Sequence, residues 1–111
     1  MPQKNCFSAE EWRIVGGLTQ AMSENDRIEA AEILARHPAA GSERVLLKML
    51  SDPAALVRAS AAEALSFGRS KEVLDALFKA MADRSRLVRG YAVLSIADGQ
   101  KKHRQKPPRN A

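Results

Sequence analysis

Few groups in this chain could act on a ligand, and their spacing decides what they could do. Glu29 and Glu32 stand three residues apart, which on a helix puts both carboxylates on one face, able in principle to hold a cation or share acid–base work. A metal site needs a closed set of donors, and neither a third ligand nor a histidine recurs near the pair, so a solvated helix face is expected. His37 precedes Pro38 and reads as a helix-terminus residue, His103 lies among basic residues, and Cys6 is the single cysteine. There is no Gly-rich phosphate loop and no Cys–His set at ligand spacing. The expectation is a non-enzyme with no catalytic residue, metal ligand or cofactor. The remaining candidates are arginines: Arg27, Arg58 and Arg89 recur every 31 residues, and guanidiniums in a row could track nucleic-acid phosphates. Arg58 and Arg89, however, each follow a valine and stand six residues after an aspartate, Asp52 and Asp83. A charge-assisted bond to that aspartate is the simpler account.

Helical patterns must position these residues. Ser8 followed by Glu11 makes a capping box ahead of Trp12, Val15 and Leu18. Ser23 with Asp26 is a weaker capping signal for a helix from about Glu24 to Arg36, with Ala30, Ile33 and Leu34 on its apolar face and His37-Pro38 as its stop. Ser42 is expected to cap a third helix whose buried stripe is Val45, Leu46, Met49 and Leu50. Asp52-Pro53 starts a fourth, predicted from Pro53 to Phe67 with Val57, Ala61, Ala64 and Leu65 inward and Gly68 as a left-handed stop. Ser70 caps a fifth helix carrying Val73, Leu74, Leu77, Phe78 and Met81. Asp83 or Ser85 caps a sixth that ends near Asp98-Gly99.

These six helices repeat as three pairs. Asp52 to Arg58 returns as Asp83 to Arg89 with Asp, Leu, Val and Arg in place, and Leu34, Leu65 and Ile96 keep the same 31-residue step. The first pair is degenerate, with Ala21 where the aspartate belongs, as terminal units of an array often are. Length allows one domain: an arm over 1–7, repeats over about 8–37, 42–68 and 70–98, and a tail over 99–111. The net charge is +5, yet five basic residues (Lys101, Lys102, Arg104, Lys106 and Arg109) follow Asp98 with no acid among them. The body is therefore neutral and the tail, expected to be disordered, holds the whole excess. With a lone cysteine, no secretory leader and no apolar run near the roughly 20 residues of a membrane span, a soluble cytoplasmic protein without a membrane partner is expected.

An aspartate, four residues, then Val-Arg and an Ala-rich helix ending in an apolar residue resembles the short bacterial HEAT repeat, the kind also found in phycobilin lyases. Asp52 to Leu65 and Asp83 to Ile96 carry the likeness. The resemblance implies an all-α, short right-handed α-solenoid of three helical hairpins with the second helices lining the concave side. It also implies that Asp52 and Asp83 cap those helices and that Arg58 and Arg89 hydrogen-bond between neighbouring repeats.

What drifts between repeats points to function. Asn25, Glu29 and Glu32 align with Leu56, Ser60 and Glu63 and then with Leu87, Tyr91 and Leu94, so the stripe turns from polar to apolar. Val88, Ala92 and Ile96 already supply the inward face, so something should cover Leu87, Tyr91 and Leu94. Three coverings stay open: the chain's own core or tail, a partner, or a further repeat. The favoured function is a protein-interaction scaffold that binds another protein or itself through Leu87, Tyr91, Leu94, Arg84 and Arg86. The alternatives are a nucleic-acid-binding module that uses the tail with Arg84, Arg86 and Arg89, and an enzyme subunit of the phycobilin-lyase kind, implied by the resemblance alone.

Overall fold

The computed structural model describes residues 7–37, 40–68 and 70–104, which form six α-helices and no strand. Helix α1 (Ala9–Thr19) opens on the complete capping box: Ser8 Oγ accepts the Glu11 amide at 3.1 Å and Glu11 Oε1 accepts the Ser8 amide at 2.7 Å. Helix α2 (Glu24–Arg36) has Ser23 as its cap and His37 as its C-terminal boundary. Helix α3 spans Ala40–Met49, α4 spans Ala55–Ala64 and runs into a 3-10 turn at Leu65–Phe67, and α5 (Lys71–Ala80) is capped by Ser70. Helix α6 spans Arg86–Arg104, and Ser85 Oγ accepts the Val88 amide at its start.

Several expected boundaries differ, each for a local reason. Ser42 is not a cap: it lies inside α3, fully buried, and its hydroxyl donates to the His37 carbonyl at 2.7 Å, tying α3 to the end of α2. Asp52 and Asp83 stand ahead of the helix starts, closing Asx turns by accepting the Ala54 and Ser85 amides, each at 2.8 Å. Ala54 is therefore the residue that enters α4, and Pro53 belongs to the turn rather than to the first helical turn. Gly68 is extended (φ −79°, ψ 141°), not left-handed. Its use is close approach, since a Cβ there would lie 2.9 Å from Val73 Cγ2 and 3.1 Å from Glu43 Oε2. Finally, α6 does not stop at Asp98-Gly99. A single glycine costs a helix only about 1 kcal/mol, and the lysines and arginine that follow are good helix formers at the end where the helix dipole favours cations.

The hairpins α1/α2, α3/α4 and α5/α6 stack so that α4 packs between α2 and α6, while α1, α3 and α5 form the outer layer. Val15, Leu46 and Leu77 are buried at equivalent positions of the outer helices, as are Leu34 and Leu65 of the inner ones. The middle helix reaches neighbours on both sides because Ala59, Ala61, Ala62 and Ala64 are small and buried, and the buried Ser95 hydroxyl of α6 donates to the Ala62 carbonyl. Leu65 has no exposed surface, so Leu65→Ala should cost about 3 kcal/mol. Leu94→Ala, on exposed surface, should change stability by less than about 0.5 kcal/mol. Urea denaturation of the two variants checks the contrast.

Candidate partner-binding surface

The arginines spaced 31 residues apart do not face solvent phosphates; two of them lock one repeat to the next. Arg27 donates from Nε to Asp52 Oδ2 at 2.8 Å and from Nη2 to Asp52 Oδ1 at 3.1 Å. Arg58 repeats this on Asp83, with both bonds at 3.0 Å. The third corner of each guanidinium, Nη1, turns back to backbone carbonyls: Ala21 and Met22 for Arg27, Asp52 and Pro53 for Arg58. The expected ion pair with the aspartate six residues upstream is thus corrected. The upstream turn supplies carbonyls, and the carboxylate comes from the following repeat, 25 residues downstream.

Electrostatics follows the geometry. At Asp83 the Arg58 hydrogen bonds outweigh burial and, with the Ser85 amide, hold the carboxyl below the usual aspartate range. At Asp52 burial is the largest influence and pushes upward, but the Arg27 hydrogen bonds, the Ala54 amide and the charges of Arg27 and Arg58 together carry it below that range. The same bonds raise Arg27 and Arg58 above the ordinary arginine value, against burial.

Arg89 occupies the equivalent place in the last repeat, and its Nη1 donates to the Asp83 carbonyl at 2.7 Å. Among the described residues no carboxylate stands on its Nε–Nη2 edge. The other predicted residues lie on α6 or just before it. Leu87 and Leu94 are 44% and 62% exposed, while Tyr91 is half-buried and packs against the core. Together with Ser85, Arg86 and Gly90 they line an open hollow of about 560 Å³. Arg84 and Arg86 are exposed. Lys101, Lys102 and Arg104 are in the last turns of α6, whereas Lys106 and Arg109 lie outside the described residues.

Two smaller grooves lie between the inner helices. Glu32, Ser60 and Glu63 line the one between α2 and α4, and Glu63, Tyr91 and Leu94 the one between α4 and α6. Glu29 and Glu32 are exposed, and no group of acids, histidines or cysteines among the described residues could hold a metal ion. His37 sets its ring against Phe7, with centroids 4.7 Å apart, at the end of α2. No helix among the described residues is long and apolar enough to cross a membrane.

The sequence reading missed several exposed apolar residues: Ile14 and Met22 in the first repeat, Leu56 in the second, and three in the last. Phe78 and Met81, assigned to the stripe of the fifth helix, are exposed, and so is Val93 of α6. The 31-residue alignment contained the signal: Leu47 and Leu50, which correspond to Phe78 and Met81, pack against the core, and Ala62, which corresponds to Val93, is buried.

The ladder makes a prediction about acid. A carboxyl held low in the folded state stabilises it fully above the usual aspartate range, and that contribution is lost as pH falls through the lowered folded-state value. Wild-type stability should therefore fall steeply below about pH 4. Asp83→Asn should be less stable at neutral pH, by about 2 kcal/mol, and show a shallower loss on acidification. Urea midpoints between pH 2.5 and 7 measure both effects.

No curated protein matches the sequence. A family model described as HEAT repeats matches residues 14–97. That span takes in parts of all three hairpins and both rungs of the arginine–aspartate ladder, and with the stacked all-helical architecture it shows that the chain belongs to the HEAT-repeat family.

Proposed function

We propose that this chain is a non-catalytic scaffold that binds another protein, or a second copy of itself, through its last repeat. HEAT repeats are commonly protein-interaction scaffolds and generally non-catalytic. The observation that carries the proposal is the apolar hollow on α6, where Leu87 and Leu94 remain exposed beside Tyr91 and are bordered by Arg86. An apolar centre with a basic rim suits a protein partner, because exposed apolar patches of this kind mark association and the arginine adds directional bonds. We place this activity in the cytoplasm.

The test uses a photo-crosslinking residue at position 86, on the rim of the hollow, in the full chain, with sedimentation velocity alongside. A specific adduct, or a concentration-dependent oligomer, that disappears in the Leu87→Ser/Leu94→Ser variant is the expected result. Both side chains are exposed, so that variant should keep the wild-type urea midpoint. A strict monomer that yields no adduct refutes the proposal. A second mode, contact with nucleic-acid backbone, is favoured by the extension of α6 through Lys101, Lys102 and Arg104. It requires salt-dependent shifts of duplex DNA or RNA that vanish on deletion of residues 100–111.

A further inference from the structure

The 31-residue register allows each repeat to be compared with the one stacked on it. On α4, Ala59 and Ala62 are both buried, and the Ala62 carbonyl accepts the Ser95 hydroxyl of α6. The corresponding residues of α6 are Gly90 and Val93; Gly90 is exposed and Val93 is 47% exposed. In the outer layer Leu47 and Leu50 pack against the core, whereas their equivalents Phe78 and Met81 are 54% and 41% exposed. The end of the stack therefore presents the positions that are buried or packed in the repeat before it, with bulkier apolar side chains at 78, 81 and 93.

The arginine ladder ends at that face. Arg27 and Arg58 each spend Nη1 on the turn before their own helix and the Nε–Nη2 edge on the next repeat's aspartate. Arg89 makes the first kind of bond, from Nη1 to the Asp83 carbonyl, which holds the half-buried guanidinium in the ladder orientation. Its other edge has the geometry of a carboxylate receptor, and no carboxylate among the described residues fills it.

We propose that Arg89, with Phe78, Met81 and Val93, is a docking site for a helical hairpin from outside this sequence that presents an aspartate in an Asx turn before its second helix, as Asp83 is presented to Arg58. This rests on the last repeat being the partner-binding end and specifies the partner's chemistry. A second copy stacked in the array's own register does not supply the aspartate, because position 21, the equivalent of Asp52 and Asp83, is Ala21. No acidic side chain follows Asp98, so the residues after it offer no aspartate for this edge.

The probe is a synthetic peptide of positions 70–98, which carries the required turn, titrated into the isotope-labelled full chain. A second form, the same segment tethered by a Gly-Ser linker after Ala111, raises the local concentration and assists folding of the hairpin. Saturable amide shifts at Phe78, Met81, Gly90 and Val93 are expected. Asp83→Asn in the peptide, or Arg89→Ala in the chain, should weaken binding at least about tenfold, with little further loss when combined. Absence of shifts with both probes overturns the proposal, as does binding indifferent to Arg89→Ala. A dimer of the chain alone that Arg89→Ala dissociates also overturns it, in favour of a second copy. If Leu87→Ser/Leu94→Ser abolishes the crosslinked adduct and Arg89→Ala does not, the scaffold function stands and this docking site falls. The reverse pattern keeps this site and removes the α6 hollow as the contact.

Discussion

The bidentate bond from an arginine in one second helix to an aspartate in the turn before the next is the constraint on which the stack depends. It joins residues 25 apart, so it sets the offset between hairpins rather than the shape of any one of them. Only arginine can do this. Its planar fork meets both carboxylate oxygens while the third nitrogen satisfies carbonyls of its own preceding turn, and a lysine has no second face for that work. The aspartate is equally committed: Oδ1 accepts both the guanidinium and the amide that closes its Asx turn, so the turn aims the carboxylate that makes the inter-repeat contact. Separating repeats would give up the bidentate bond as well as expose apolar surface, so the rungs and the apolar packing hold the same offset between neighbouring hairpins.

Much of this architecture was legible in the residues. Periodicity and caps located all six helices, and the 31-residue step paired them, because the inward positions at Val15, Leu46 and Leu77, and at Leu34 and Leu65, obey one packing rule repeated three times. Details decided by tertiary contact were not legible. Ser42 has the composition of a cap but is drawn into the helix by the His37 carbonyl, and Asp52 resembles a cap but is claimed by Arg27. Gly68 suggested a left-handed stop, yet its missing Cβ makes room for Val73 and Glu43, which are brought there by folding. Each failure is a residue with two compatible local roles, where a distant partner chose between them.

The candidate site divides in the same way. The drift from Glu29 and Glu32 to Tyr91 and Leu94 follows one stripe of the second helices, and that stripe lines the grooves between those helices and the hollow on α6. The stacking end lies on a different stripe, where the sequence change is quieter. Alanine becomes valine at 93, and leucine becomes phenylalanine at 78 and methionine at 81, with no polar-to-apolar switch to draw attention. An apolar residue there looks like core until one asks what covers it. That question needs the order of the stack, which the helix pattern alone does not contain.

The two ends of the array are consequently unequal. In the first repeat the ladder aspartate is replaced by Ala21, so that turn offers no carboxylate to an arginine stacked before it. At the other end the ladder arginine is retained, held in the receiving orientation by the Asp83 carbonyl, and set among larger apolar side chains than the inner repeats use. A repeat face that only had to meet water would be more soluble with a polar residue at 78, 81 or 93. Retaining apolar groups together with an oriented, half-satisfied guanidinium favours a partner that brings both a carboxylate and an apolar helix face, and disfavours one that brings either alone.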